Sequence, residues 1–108
     1  MIHITEAESV VLGPLWRLGP LTPARLIEEV KQVQPWADTT IKTLLARLVR
    51  KSAVAADRGE GPVRYRALVA REAFVEAEVG ALVQRLFGGD PAALLAFLQA
   101  RVLGRHGG

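Results

Sequence analysis

Thr39, Thr43, Arg47 and Arg50 follow one another at spacings of four, four and three, so a single helix would carry them in one stripe with Ala46 among them. Ile41, Leu44, Leu45, Leu48 and Val49 fall at i, i+3, i+4, i+7 and i+8 and give that helix an apolar face opposite the stripe. No acid follows Asp38 before the stretch ends at Lys51. A solvated helix face ordinarily mixes signs and gains i,i+4 ion pairs. This face instead suits an anionic surface. A guanidinium can take a phosphate or the O6/N7 edge of guanine, and a threonine methyl can pack on a thymine methyl.

The basic excess is local. Residues 1–41 hold three bases and five acids, residues 42–66 hold seven bases and two acids, and residues 67–108 hold four of each. The net charge of +3 therefore comes from the middle segment, and a concentrated basic block is the electrostatic footprint of a nucleic-acid binder. Arg58 and Arg64 flank a turn in that block and suit phosphate contact. Arg50 and Lys51 close the helix, where a positive charge also favours the helix dipole, a structural reason for them that is independent of DNA.

Other chemistries find little support. With no cysteine there is no disulfide, thiolate metal site or cysteine nucleophile. His3 and His106 stand at opposite ends without second ligands, and Ser9 and Ser52 have no histidine at a suggestive spacing. Gly59-Glu60-Gly61 lacks the strand and helix that frame a phosphate loop. The expectation is a non-enzyme without metal or cofactor. No apolar run reaches the 18 or so residues of a membrane span, and the first residues do not read as a signal peptide, so a cytoplasmic protein without membrane insertion is expected.

The elements that would position the stripe can be read along the chain. Thr5 and Glu8 form a capping box for a first helix. Val11, Leu15 and Leu18 line that helix, with Ala7, Val10 and Trp16 beside them, Pro14 is expected to bend it, and Gly19-Pro20 stops it. Thr22 caps a second helix with Pro23 at its first position, Leu21 is placed to staple onto Leu26, and Leu26, Ile27, Val30 and Val33 form the buried face. Trp36 reads as a packing anchor with its N–H on a backbone acceptor, and Asp38 as the cap of the third helix. Val54–Arg58 and Val63–Leu68 read as a hairpin around the four-residue loop Gly59-Glu60-Gly61-Pro62. A fourth helix runs from about Ala70 to Phe87 with Val75, Val79, Leu82, Val83 and Leu86 in a near-heptad stripe. Asp90-Pro91 opens a last helix, to Leu103, that is apolar on several sides through Leu94, Leu95, Phe97, Leu98, Val102 and Leu103. A terminal helix of that kind needs cover, and a second copy of the chain is the natural source. Arg105-His106-Gly107-Gly108 reads as a frayed tail.

This order predicts a mainly α fold with a small β-hairpin wing: a winged helix-turn-helix over residues 1–69 and a C-terminal helical dimerisation arm over 70–108. Val75, Val79, Leu82, Leu86, Leu94 and Leu98 are the expected dimer contacts.

Three motifs resemble the penicillinase-repressor family of bacterial transcriptional regulators, the BlaI/MecI/CopY type. Thr5-Glu6-Ala7-Glu8 with Leu15-Trp16 is similar to the family's opening helix. Trp36 through Leu48 is similar to its recognition helix, W-x-x-x-T-[IV]-x-T-x-[LI]-x-R-L. Arg64-Tyr65-Arg66 is similar to its second wing strand. The resemblance implies that Thr39, Thr40, Lys42, Thr43 and Arg47 face DNA. It also implies a homodimeric repressor on an inverted-repeat operator of β-lactam-resistance or related genes. In family members that answer β-lactams, a membrane sensor protease cuts the arm before a phenylalanine, and Ala96-Phe97 aligns with that junction. Ser52 stands where the family usually has glycine, and the absence of C-terminal cysteines argues against copper sensing. The competing reading is a winged-helix protein–protein adaptor whose basic face binds DNA weakly and without sequence preference.

Overall fold

The computed structural model describes residues 2–104; the tail from Arg105, with His106, lies outside them. The chain divides into two compact units, Met1–Arg71 and Glu72–Gly108. In order they contain α1 (Glu6–Leu18), α2 (Pro23–Lys31), α3 (Asp38–Arg50), β1 (Val54–Asp57), β2 (Arg64–Ala67), α4 (Arg71–Phe87) and α5 (Pro91–Phe97), which runs on as a π-helical turn, Leu98–Leu103. The fold is mainly α with a two-stranded antiparallel hairpin, as expected.

The capping box at α1 is complete. The Glu8 amide donates to Thr5 Oγ1 at 3.1 Å and the Thr5 amide donates to Glu8 Oε1 at 2.9 Å. The helix continues through Pro14 to Leu18. An interior proline costs about 3 kcal/mol, and the Pro14 ring is itself fully buried, so packing holds the helix together there. Gly19, at φ 84°, ends it. Thr22 caps α2 and Pro23 takes its first turn.

The core of the first unit is built from Ile4, Val11, Leu12 and Leu15 before and in α1, Leu26 and Val30 in α2, Ile41, Leu44, Leu45 and Leu48 in α3, and Ala53 and Val54 at the hairpin. Three residues assigned to apolar faces are on the surface instead: Leu18 in the last turn of α1, Val33 beyond the end of α2, and Val49 at the edge of the α3 stripe. Leu21 makes a backbone bridge to β2. Its amide donates to the Tyr65 carbonyl at 3.1 Å and its carbonyl accepts from the Tyr65 amide at 2.8 Å. The hairpin is thus tied to the segment joining α1 and α2. The strands pair Val54 with Ala67 and Asp57 with Arg64, so the loop runs from Arg58 to Val63 and is longer than the four residues expected.

The end of α3 departs from glycine chemistry without departing from its geometry. The Ala53 amide donates to the Leu48 carbonyl at 2.9 Å and the Ser52 amide to the Val49 carbonyl at 3.0 Å, the paired bonds of a Schellman cap. Ala53 and Leu48 are both fully buried, which supplies the apolar contact of that motif. The motif needs a left-handed residue, and Ser52 takes it at φ 62°. A side chain in that region costs about 1 kcal/mol. Ser52→Gly is therefore expected to raise stability by roughly that amount and the melting temperature by about 4–8 °C. A thermal melt showing no rise would mean that Ser52 is held there without strain.

In the second unit Gly88 and Gly89, at φ 58° and 84°, end α4, and Asp90 caps α5 by accepting from the Ala92 amide at 3.0 Å. The two helices meet at 84°, and no single helix among the described residues is long and apolar enough to cross a membrane. The rings of Phe87 and Phe97 pack with centroids 5.8 Å apart. Val83 is buried, Leu82, Leu94 and Leu98 are half-buried, and Val75, Val79, Leu86, Leu95, Phe97, Val102 and Leu103 are exposed in the single chain. The last helix, expected to be covered, is thus largely uncovered within this chain. Ala96 and Phe97 sit at the passage from α5 into the π turn.

Candidate nucleic-acid interface

α3 is amphipathic in the way that the sequence suggests. Ile41, Leu44, Leu45 and Leu48 point into the core, and Thr39, Thr40, Lys42, Thr43, Ala46, Arg47 and Arg50 are all exposed. The helix starts one residue earlier than expected. Ala37 is the N-cap and offers no side chain, whereas Asp38 is the first helical residue. Inside the helix Asp38 no longer holds the cap position, and its carboxylate pairs with Lys31 at the end of α2. That bond and charge, with a smaller contribution from Lys42, hold the Asp38 carboxyl below the usual aspartate range. The pair spans the turn between the two helices and still places an acid where it favours the α3 dipole.

Within the stripe the Thr43 hydroxyl donates to the Thr39 carbonyl at 2.9 Å, a back-bond to the preceding turn. What Thr43 can present to a base edge is therefore its methyl group and an acceptor lone pair rather than a free proton.

The seven bases between Lys42 and Arg66 separate into two groups. Lys51 and Arg66 are ion-paired, whereas Lys42, Arg47, Arg50, Arg58 and Arg64 make no ion pair among the described residues. The five uncommitted cations are all exposed, three on α3 and two at the wing, with Arg58 in its loop and Arg64 at the start of β2. Arg66 bonds Asp57 diagonally across the hairpin, Nε to Oδ2 at 3.0 Å and Nη2 to Oδ1 at 3.4 Å. This bond and its charge raise the Arg66 guanidinium above its ordinary value. It also occupies the one acid of the strands, which otherwise faces Arg64 in register.

Lys51 differs from its neighbours. Its ammonium donates to Glu8 Oε1 at 2.7 Å and to the His3 carbonyl at 2.9 Å. The Glu8 side chain is 1% exposed and that of Lys51 33%. Burial pushes the Glu8 carboxyl up, but the Lys51 bond, the Thr5 amide and hydroxyl, and the Lys51 charge outweigh it and leave the group below the usual glutamate range. The sequence placed Lys51 among the phosphate contacts. The structure turns it onto its own protein.

The tryptophans also exchange roles. Trp16 Nε1 donates to the Val69 carbonyl at 2.8 Å, the kind of backbone bond expected of Trp36. Trp36 is half-buried, lies beside a shallow groove with Thr5, Glu6, Ala7, Val10 and Gln34, and makes no indole hydrogen bond among the described residues. No group of three or more metal-ligating side chains occurs among the described residues.

An uncommitted basic helix face beside a basic wing, on a helix-helix-helix-hairpin frame, is the form of a DNA-reading domain. Comparison with known proteins agrees with it: the family profile described as penicillinase repressor matches residues 4–105.

The chain belongs to the penicillinase repressor family.

Members of this family are DNA-binding regulators, not enzymes. An uncharacterised 16.5 kDa protein of Latilactobacillus sakei is 32% identical over 96 residues, covering 89% of this chain, which spans 66% of that relative's length. The penicillinase repressor of Bacillus licheniformis is 23% identical over 87 residues, 81% of this chain and 68% of that one. The solved structure of the Bacillus licheniformis BlaI monomer in complex with the blaP half-operator shares 24% identity at a TM-score of 0.61, covering 68% of this chain and 90% of the other. That likeness is one of fold.

Proposed function

We propose that this protein is a homodimeric, sequence-specific transcriptional repressor acting in the cytoplasm. It would bind an inverted-repeat operator, with α3 of each subunit in the major groove of one half-site and the hairpin on the adjacent backbone. The observation that carries this reading is the separation of the bases between Lys42 and Arg66: those on the exposed face of α3 and at the wing make no ion pair among the described residues, while Lys51 and Arg66 pair within the protein. Thr39, Thr40, Lys42, Thr43, Arg47 and Arg50 form the groove surface, and Arg58 and Arg64 the backbone clamp. Lys51 is left out. Dimerisation through Val75, Val79, Leu82, Leu86, Leu94 and Leu98 is supported by the apolar surface that the arm leaves open in one chain. Control of β-lactam-resistance genes, and release by a membrane sensor protease cutting between Ala96 and Phe97, follow from the family alone; an unchanged induction of a Phe97→Ala variant in its host removes the second.

Arg47 is the residue best placed to read a base. It is exposed, one turn before the helix end, and has no carboxylate partner among the described residues. Arg47→Ala is expected to weaken binding to the operator upstream of its own gene by about 5- to 150-fold, the equivalent of one bidentate base contact. Stability should change by less than about 0.5 kcal/mol, as for other surface substitutions. Unchanged affinity in a gel-shift titration removes Arg47 from the interface.

A further inference from the structure

The most constrained polar group outside the proposed DNA surface is the carboxylate of Glu8. It is 1% exposed, and one of its oxygens accepts both from the Thr5 amide at 2.9 Å and from the Lys51 ammonium at 2.7 Å. Lys51 is separated from it by 43 positions and follows the last residue of α3 directly. Its ammonium also donates to the His3 carbonyl at 2.9 Å, ahead of α1. A buried carboxylate with one oxygen held by two donors has few alternative positions, because displacing it from them leaves a charge with neither hydration nor partner. The C-terminal end of α3 is therefore held by a group that tolerates little movement. The N-terminal end is held by the exposed Lys31–Asp38 pair.

We propose that Glu8 is a positioning residue for the DNA-reading helix: through Lys51 it fixes the last turn of α3, and so the presentation of Arg47 and Arg50, while Lys51 itself contacts no phosphate. Arg47 lies one turn before Lys51, and the Lys51 amide donates to the Arg47 carbonyl at 2.9 Å. The same turn carries the Schellman bonds of Ser52 and Ala53, closed by a serine in the left-handed region. Because that cap works against the preference of its residue, the side-chain link beneath it has something to hold.

This inference rests on α3 being the DNA-reading helix, and two measurements separate the failure of either. The first needs no DNA. In Glu8→Gln, which keeps an acceptor for the Thr5 amide, hydrogen exchange at the Lys51 and Ala53 amides should quicken about tenfold, the equivalent of one lost charge-assisted hydrogen bond. Amides of α2 and of the hairpin should keep their wild-type rates. Equal acceleration everywhere, or none, overturns the link. The second compares Glu8→Gln, Lys51→Gln and Arg50→Gln on operator and scrambled duplexes, at a temperature where circular dichroism shows each variant folded. Glu8→Gln and Lys51→Gln should lower the operator-to-scrambled affinity ratio about tenfold. The log–log salt slope of Lys51→Gln should stay at the wild-type value, while that of Arg50→Gln becomes shallower by about 2 per dimer, one phosphate per subunit. A Lys51→Gln slope that falls like that of Arg50→Gln makes Lys51 a phosphate contact and overturns the proposal. So does a wild-type affinity ratio in Glu8→Gln. A wild-type protein that binds neither duplex refutes the DNA-reading function, and the exchange rates still decide the link.

Discussion

Lys51→Met is expected to destabilise the protein by about 3 kcal/mol, the low end of what removing one partner of a buried ion pair costs. The low end applies because a third of the lysine side chain reaches solvent, so water can approach the carboxylate left behind. Against a total of roughly 5–15 kcal/mol for a domain, this is a large share. It should lower the melting temperature by at least about 12 °C. A double-mutant cycle with Glu8→Gln identifies the cause. The two losses should fail to add by about 1 kcal/mol or more, because the first substitution already removes what the second would remove. Additive losses would make Lys51 an ordinary surface lysine. The pH dependence has a definite sign. The Glu8 carboxyl lies below its usual range in the folded protein, so its contribution is present in full above the unfolded value. It disappears as the pH falls through the glutamate range and below. Glu8→Gln should therefore be less stable than wild type near neutrality, with the gap narrowing in acid.

The parts of this structure that were legible in the sequence are those whose cause is local. Thr5, Thr22 and Asp90 cap the helices they precede, because a hydroxyl or carboxylate two or three residues away from a free amide is a matter of spacing alone. Gly19 and Gly88-Gly89 end helices for an equally local reason. The exposed stripe of α3 was legible because period and charge coincide there. Where a helix face ends was not, since Leu18, Val33 and Val49 fit the period but remain exposed at the edges or ends of their faces. Asp38 has the residue type of a cap, but the helix already includes it as its first residue, and its carboxylate pairs with Lys31 across the turn. The largest gap in the candidate site is Glu8. Its spacing from Thr5 reveals the capping box, but nothing within the α1 sequence points to a lysine at the end of α3, so the Glu8–Lys51 pair is not legible there. The bridge from Leu21 to Tyr65 was hidden for the same reason: it exists only once the hairpin has folded back on the preceding segment.

The second large effect concerns salt. Lys42, Arg47, Arg50, Arg58 and Arg64 make no ion pair among the described residues, so each can displace a counterion from DNA. A dimer then brings about ten such cations to the DNA, Arg47 counting through its charge even where it meets a base edge, and its log–log slope of affinity against salt should be about −9. Between about 50 and 200 mM salt the operator affinity should fall by roughly 10^5-fold. If Lys51 belonged to the contact set the slope would be steeper, and a protein bound as a monomer would show about half of it. The adaptor reading gives weak binding that does not distinguish operator from scrambled sequence. The decisive measurement is a fluorescence-anisotropy titration of the wild-type protein on the DNA upstream of its own gene and on a scrambled duplex, across that salt range. An operator-reading dimer binds the upstream DNA more tightly, with a slope near −9; a slope near zero, or equal affinity for the two duplexes, would contradict that function.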